Sequence, residues 1–290
     1  MTRILIIGCG DIALRAIPLL TRRYKVFALV RNKQFFEKLR ALKVLPILGD
    51  LDNRASLRRI VGIADTILHL APPPNNGSGD TRTQNLLGAL AQGIHPPRRF
   101  IYISTSGVYG DCGGALVDET RAINPKSARA QHRVAAENKI RHWAKHNGIH
   151  ASILRVPGIY AVDRLPVQRI QQGMPAILSA EDSYSNHIHA DDLAHCIVAA
   201  VRHAKPCRVY NISDDSALQM GEYFDLVADA YHLQRPPRVG RVAAQSMLSP
   251  MMLSFLNESR RLKNARMKRE LKVQLRYATV SEALQSFNKT

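Results

Sequence analysis

The sequence predicts a doubly wound α/β fold, a parallel sheet with helices on both faces, followed by a smaller C-terminal part. Three observations carry this. Short apolar runs alternate with segments of helical length from the first residues onward. The runs are almost continuously apolar rather than alternating, as strands covered on both faces must be. A chain of 290 residues also suffices for one large α/β unit or about two domains, and it can bury a core without disulfide or metal staples.

Strands are expected over residues 4–7, 26–30, 44–48, 66–70, 100–104 and 152–156. Helices are expected between them over 12–21, 34–42, 54–61, 81–91 and 127–147, the last stopped by Gly148. After Pro157 the pattern loosens. Strand-like pieces at 176–178, 187–189 and 208–212 interleave with helices at 191–202, 220–231 and 243–255. The chain therefore divides into a dinucleotide-binding part over 1–157 and a substrate-binding part over 158–290, interleaved with the main sheet. The loop Pro72-Pro73-Pro74-Asn75-Asn76-Gly77-Ser78-Gly79 has a composition that builds no element and reads as a surface loop.

Gly8-Cys9-Gly10-Asp11-Ile12-Ala13 is a G-x-G-x-x-A directly after the first strand and at the opening of a helix. The first glycine permits a tight turn, and the second lets the backbone approach a pyrophosphate. The small third residue brings helix and strand together. The free N–H groups and dipole of the helix N-terminus favour the phosphates. This marks a Rossmann-type dinucleotide site. Where NAD-binding folds carry an acid for the ribose hydroxyl, this chain reads Leu29-Val30-Arg31-Asn32-Lys33. Arg31 suits a 2′-phosphate, so NADP is expected over NAD. The candidate cofactor set is Gly8, Gly10, Asp11, Ile12, Ala13, Arg31, Asn32, Asp50, Leu70 and Ala71.

Four segments resemble the extended short-chain dehydrogenase/reductase family, the NAD-dependent epimerases and dehydratases of nucleoside sugars. Ile103-Ser104-Thr105-Ser106-Gly107-Val108-Tyr109-Gly110-Asp111 is similar to its SS-x-x-VYGD segment, and Leu154-Arg155-Val156-Pro157-Gly158-Ile159-Tyr160 to its LR-x-x-x-x-Y strand end. His187-Ile188-His189-Ala190-Asp191-Asp192-Leu193-Ala194 resembles IHVDDLA, and Val209-Tyr210-Asn211-Ile212-Ser213-Asp214 resembles VYN-x-x-D. The likeness runs from Gly8 to about Asp215 in the family's order. It implies a catalytic Ser/Thr, filled by Thr105, and a Tyr-x-x-x-Lys pair ahead of Ala135-Ala136-Glu137. Those two places hold Arg129 and Arg133. An arginine stays protonated above pH ~12 and cannot replace a tyrosine base. The shortened glycine motif and the missing pair resemble the atypical, YeeZ-like subgroup.

Arg129 and Arg133, four residues apart, share one helix face, where both guanidinium groups could fork onto a carboxylate or phosphate. Tyr109 and Tyr160 are the candidate replacement acids, each weighed against a packing role. The resemblance adds Arg155 and Tyr160 to the substrate side. It also lays the basic segment 258–269 over the substrate cleft, with Arg260 and Arg261 as phosphate ligands. A solvated helix face is the plainer account of that segment. His187-x-His189-x-Asp191 has metal-ligand spacing, but the family's structural turn explains it, with Asp192 as a helix cap. No metal is expected.

The net charge is +18, with 23 basic and 10 acidic side chains over 1–150, 4 and 5 over 151–204, and 14 and 8 over 205–290. Charge spread in this way favours a small anionic partner. With no helix-turn-helix, zinc finger or stacking aromatics beside the cations, no specific nucleic-acid partner is expected. No apolar run reaches ~18 residues, so no membrane partner is expected. The first apolar run is cut by Gly8, Gly10 and Asp11, unlike a signal peptide. Cys9, Cys112, Cys196 and Cys207 form no C-x-x-C, Cys9 reading as a small filler. A cytoplasmic protein follows, and a homodimer is compatible with it. The reading is an NADP-dependent oxidoreductase or epimerase/dehydratase-like enzyme acting on an anionic, nucleotide-linked carbonyl or sugar compound. The alternative is a non-catalytic NADP(H) sensor.

Overall fold

The computed structural model describes residues 1–77 and 79–287. Ser78 of the predicted loop and residues 288–290 of the C-terminal part lie outside the described residues. Five strands come first: β1 (Arg3–Ile7), β2 (Lys25–Val30), β3 (Val44–Leu48), β4 (Thr66–His69) and β5 (Arg99–Thr105). With His150–Val156 and Arg208–Asn211 they form one seven-stranded sheet in the order Arg208–Asn211, His150–Val156, β5, β4, β1, β2, β3. Every pairing is parallel. Chain order reverses between β1 and β4, the switch point at which such sheets open a crevice beyond the strand ends.

Alternation along β1 divides the core into two layers. Ile4 and Ile6 pack with Ala13, Ile17 and Leu20 of helix α1 (Asp11–Leu20) and with Leu193 and Ile197 of the helix Ala190–His203. Leu5 and Ile7 face the opposite layer. There they meet Leu86 and Leu90 of one helix and Ala136 and Ile140 of another. With α2 at Phe36–Ala41, these are α3 (Thr81–Leu90) and α4 (Ala128–His146). Both faces are thus dry along the inner strands β1, β4 and His150–Val156, which is why these read as apolar runs, while edge strand β3 stays half-exposed.

The structure departs from the expected elements where side chains compete with the backbone. Residues 54–61 form a 3-10 segment, Arg54–Ile60. Ser56 Oγ donates to Asp50 O at 3.1 Å or Asn53 O at 2.7 Å, bonds that compete with an α-helical ladder. The helix expected over 243–255 is two, Arg241–Met247 and Pro250–Leu256. Pro250 has no N–H, and the residue before a proline avoids helical geometry. Ser249 is extended and accepts from Met252 N at 3.3 Å. The segment 258–269 is not one solvated helix either. Arg261–Leu262 pairs with Leu116–Val117, and only Ala265–Leu271 is helical.

Asp192 does not cap its helix. His189 Nδ1 accepts from Asp191 N at 3.2 Å instead. The buried Asp192 carboxylate accepts from Arg276 N at 2.8 Å and Tyr277 N at 2.9 Å, fastening the C-terminal segment to the helix start.

Arg155, expected on the substrate side, is buried inside the sheet-to-α4 layer. Its Nη2 lies 2.8 Å from Glu137 Oε2, Ser104 Oγ donates to Glu137 Oε1 at 2.6 Å, and the guanidinium stacks 4.8 Å from the Tyr109 ring centroid. At 4% and 2% side-chain exposure, neither charge of the pair has water to fall back on. Arg155→Ala leaves the buried Glu137 carboxylate with only Ser104 and the longer, half-exposed pair to Arg141 at 3.5 Å, and should cost about 3 kcal/mol in equilibrium unfolding. The double change Arg155→Met, Glu137→Leu should lie within about 1–2 kcal/mol of the parent chain.

Candidate active site

At the switch point, β1 is followed by Gly8 with φ +93°, and a Cβ there would lie 2.4 Å from Ala71 N. Ala71 N and Leu70 N both donate to Ile7 O, at 3.0 and 2.8 Å. Gly8, Leu70 and Ala71 are therefore brought together, with Gly8 held as glycine by backbone contact as well as by its dihedral. Gly10 is the N-cap of α1, has no side-chain cap, and a Cβ built on it meets nothing within 4 Å. Uncapped N–H groups facing open space suit a pyrophosphate. Ala13 is buried against the sheet and Ile12 packs at its edge. Cys9 is half-buried, and burial pushes its thiol up to about 11.

Asp11 turns its carboxylate away from that role. It pairs with Arg15 at 3.1 Å and with Arg164 at 3.1 Å. Arg15 also reaches Asp163 at 3.3 Å and Asp191 at 2.7 Å. Arg164, which the sequence reading missed, thus leans from the C-terminal part over the glycine turn. Arg31 is exposed beyond β2, close enough to Asp52 to help hold that carboxyl below its usual range, after the Arg82 hydrogen bond. Asn32 Oδ1 accepts from Gln34 N at 2.9 Å, and Asp50 Oδ1 accepts from Asp52 N at 3.0 Å. Both shape the turns beside the crevice.

A cavity of about 440 Å³ opens beyond the ends of β5 and His150–Val156, under the helix Pro250–Leu256. Its walls include Thr105, Arg129, Arg133, Arg164, Arg260 and a single acid, Glu258. Thr105 Oγ1 accepts from Gly107 N at 3.2 Å, leaving its own proton free to donate. Arg129 and Arg133 share the cavity but not a fork. Arg133 Nη1 is held by Ile103 O at 2.7 Å, Tyr102 Oη at 3.0 Å and Ala71 O at 3.3 Å. Ala71 is the residue touching Gly8, so this arginine joins the cavity to the glycine turn. Arg129 lies over the Phe255 ring at 4.8 Å, its pKa held below the usual value by burial and by Arg133.

The other candidates fall outside or at the rim. Tyr109 is 1% exposed and its hydroxyl donates to Asn211 Oδ1 at 2.8 Å, away from the cavity. Tyr160 is equally buried, with the rings of His187 and His189 edge-on to it at 6.2 and 5.3 Å. Burial raises its pKa first, then Asp214 and Asp192. The structure therefore brings neither tyrosine to the cavity wall as a replacement acid. Arg260 does reach it, but its Nη1 donates to Gly110 O and Glu258 Oε2, both at 2.8 Å. Arg261 donates from Nε to Gly114 O at 2.8 Å and stacks on Tyr184, outside the wall. Tyr184, Ser185 and Glu258 also line the cavity. No motif marked them, because they arrive on short strands and loops fixed only by tertiary packing.

His187 lies on the same wall. It stacks on Tyr223 at 4.2 Å, and burial pushes its imidazole down to about 4. Among the described residues no group of three His, Cys, Asp or Glu side chains could hold a metal, and no helix is long and apolar enough to cross a membrane.

Residues 16–213 match the model of the NAD dependent epimerase/dehydratase family. The chain belongs to that family. The match begins after the glycine turn, whose fit rests on its geometry alone. A conserved protein of unknown function from Silicibacter pomeroyi superposes with a TM-score of 0.83 at 27% identity, over 100% of this chain and 99% of that one. A UDP-glucuronic acid 4-epimerase from Bacillus cereus, in complex with NAD, superposes at 0.76 with 18% identity over 99% of both chains, a likeness of fold. A dTDP-glucose 4,6-dehydratase from Mycolicibacterium smegmatis is 27% identical over 141 residues, 44% of this chain and 40% of that protein. The alignment thus spans less than half of that relative's length.

Two outcomes test the site. Gly8→Ala should lower the melting temperature by forcing Ala71 aside. Gly10→Ala should leave the melting temperature nearly unchanged yet abolish calorimetric binding of a nicotinamide dinucleotide. Asp214, donating its N–H to His187 O, has its carboxyl pushed up to about 7 by burial. A carboxyl raised in the folded state binds protons that the unfolded chain has released. Stability should therefore fall as pH rises from about 4 to 7, by at most about 1.4 kcal/mol per unit. Asp214→Asn should flatten that slope in denaturation measured across the range.

Proposed function

We propose that the protein is an NADP(H)-dependent oxidoreductase or epimerase/dehydratase-like enzyme for an anionic, nucleotide-linked carbonyl or sugar substrate. One observation carries the reading. Four arginines and one glutamate wall a cavity that Arg133 joins directly to the glycine turn. Such an excess of fixed cations, partly shielded from water, suits a ligand with phosphate or carboxylate charge.

The cofactor, when bound, supplies a hydride acceptor or donor. Gly10 and the first N–H groups of α1 would hold its pyrophosphate, with Gly8, Ile12, Ala13, Leu70 and Ala71 beneath. Arg31 would meet the 2′-phosphate. Thr105 would donate a hydrogen bond to the reacting oxygen, and Arg129 would stabilise negative charge developing there. Arg133 keeps the cavity end of β5 and the Ala71 backbone in register. The arginines in the tyrosine and lysine places remove the usual tyrosine base from this scheme, and the absence of that pair resembles the YeeZ-like subgroup.

A second reading follows from that replacement. Arg133 is engaged by three oxygen acceptors, and no side chain at Arg129 can exchange a proton near neutrality. The protein would then be an NADP(H) sensor without turnover. Calorimetric titration should give NADPH at least about tenfold tighter binding than NADH, with Arg31→Ala removing most of the difference. Equal affinities would remove the NADP assignment. Incubating the NADPH-bound protein with nucleotide-linked keto sugars and following absorbance at the reduced-nicotinamide band separates the two readings. Oxidation that Thr105→Val and Arg129→Gln both suppress supports the enzyme. Binding with no oxidation leaves the sensor.

A further inference from the structure

A second pocket of about 440 Å³ lies between the end of α1, the end of the helix Ala190–His203 and residues 271–274. Both helices run antiparallel to the strands and finish just before a strand begins, at Lys25 and at Arg208. The pocket is therefore at the strand-start edge, the opposite edge from the glycine turn and the arginine-walled cavity. Its wall carries Arg22, Arg23, Arg202 and Lys272, with His195 and His203, and no acid. The four cations are exposed, and none has an ion-pair or hydrogen-bond partner among the described residues. Elsewhere on the surface Arg82, Arg208, Arg235 and Lys268 each hold a carboxylate.

Helix C-termini attract cations, and two of them meet here. Each supplies only about half a negative charge, against four full positive ones on the wall. An excess of about three charges remains to repel itself unless something anionic enters. Lys272 is also fixed at φ +58°, a left-handed conformation in which glycine is the cheaper residue. The floor is apolar, made by the buried Leu271, Val273 and Val198.

We propose that this pocket binds a small phosphorylated metabolite through at least two phosphate or carboxylate charges, at a site separate from the dinucleotide crevice. The cations supply charge-assisted hydrogen bonds, and the arginine forks match phosphate oxygens. The apolar floor receives the ligand's carbon skeleton. The site needs no cofactor and stands independently of the reaction proposed above.

Inorganic diphosphate is the probe, titrated calorimetrically into the full chain at low salt. Arg202→Gln with Lys272→Gln should weaken its binding at least about tenfold, while Arg202→Lys with Lys272→Arg retains most of it. Arg121→Gln, an exposed position that lines neither cavity, should leave the same binding unchanged. These are surface positions, and an unaltered melting temperature checks that each variant is folded. His203 gives an independent readout. Burial, Lys272 and Arg202 together hold its imidazole below the usual value, so diphosphate should shift its NMR titration midpoint upward. Equal diphosphate affinity in parent and Arg202→Gln/Lys272→Gln chains would overturn the proposal. So would an unmoved His203 midpoint, or binding to anionic-lipid vesicles that diphosphate fails to displace.

Discussion

The close approach of Gly8 to Ala71 is the constraint on which the functional end of this molecule depends. Ile7 O takes hydrogen bonds from both Leu70 N and Ala71 N, so the ends of β1 and β4 are locked at the point where strand order reverses. Only a residue without Cβ fits there, because the clash would be with backbone, which cannot rotate away as a side chain can. The same Ala71 then offers its carbonyl to Arg133. One backbone contact therefore sets the glycine turn, the start of α1 and the height of an arginine on α4.

Charge is organised differently in the interior and at the surface. Glu137 and Arg155 are sealed between sheet and helix, and their pairing with Ser104 settles how α4 lies on β5. Arg15 instead gathers three carboxylates in a partly exposed network across Asp11, Asp163 and Asp191. Single exposed pairs of this kind contribute little. Their joint effect is positional: they hold the loop carrying Arg164 against the helix that opens the crevice. Among the described residues only Arg155 and Arg260 are buried cations, and each is paired with a carboxylate, so the net charge itself lies on the surface and along the cavity walls.

The central sheet was legible because its inner strands are covered on both sides and so wrote themselves as apolar runs. The glycine turn was legible because its requirements are local, a few residues with defined dihedrals and sizes. Side-chain direction was not. Arg155 and Tyr109 stand in segments that resemble family motifs, yet the fold turns both inward, to Glu137 and Asn211. Sequence order cannot say which of two faces a strand-end residue takes when its partners come from residues about 20 and 100 positions away. Pro250 was visible and should have divided the helix expected over 243–255. Arg164, Glu258 and Tyr184 reach the cavity only through tertiary packing, and nothing in their neighbours announces it.

The grip of Asp192 on the amides of Arg276 and Tyr277 has a consequence for how the protein is made. A ribosome delivers residue 192 long before residue 276. Until then the Asp192 carboxylate lacks these two amide donors, and sealing it from water without them would cost about 1–3 kcal/mol or more. The helix Ala190–His203 therefore reaches its final packing only once the segment around residue 276 has joined it. The bonds that close this layer span 84 and 85 residues of sequence, so they form after the local helix itself.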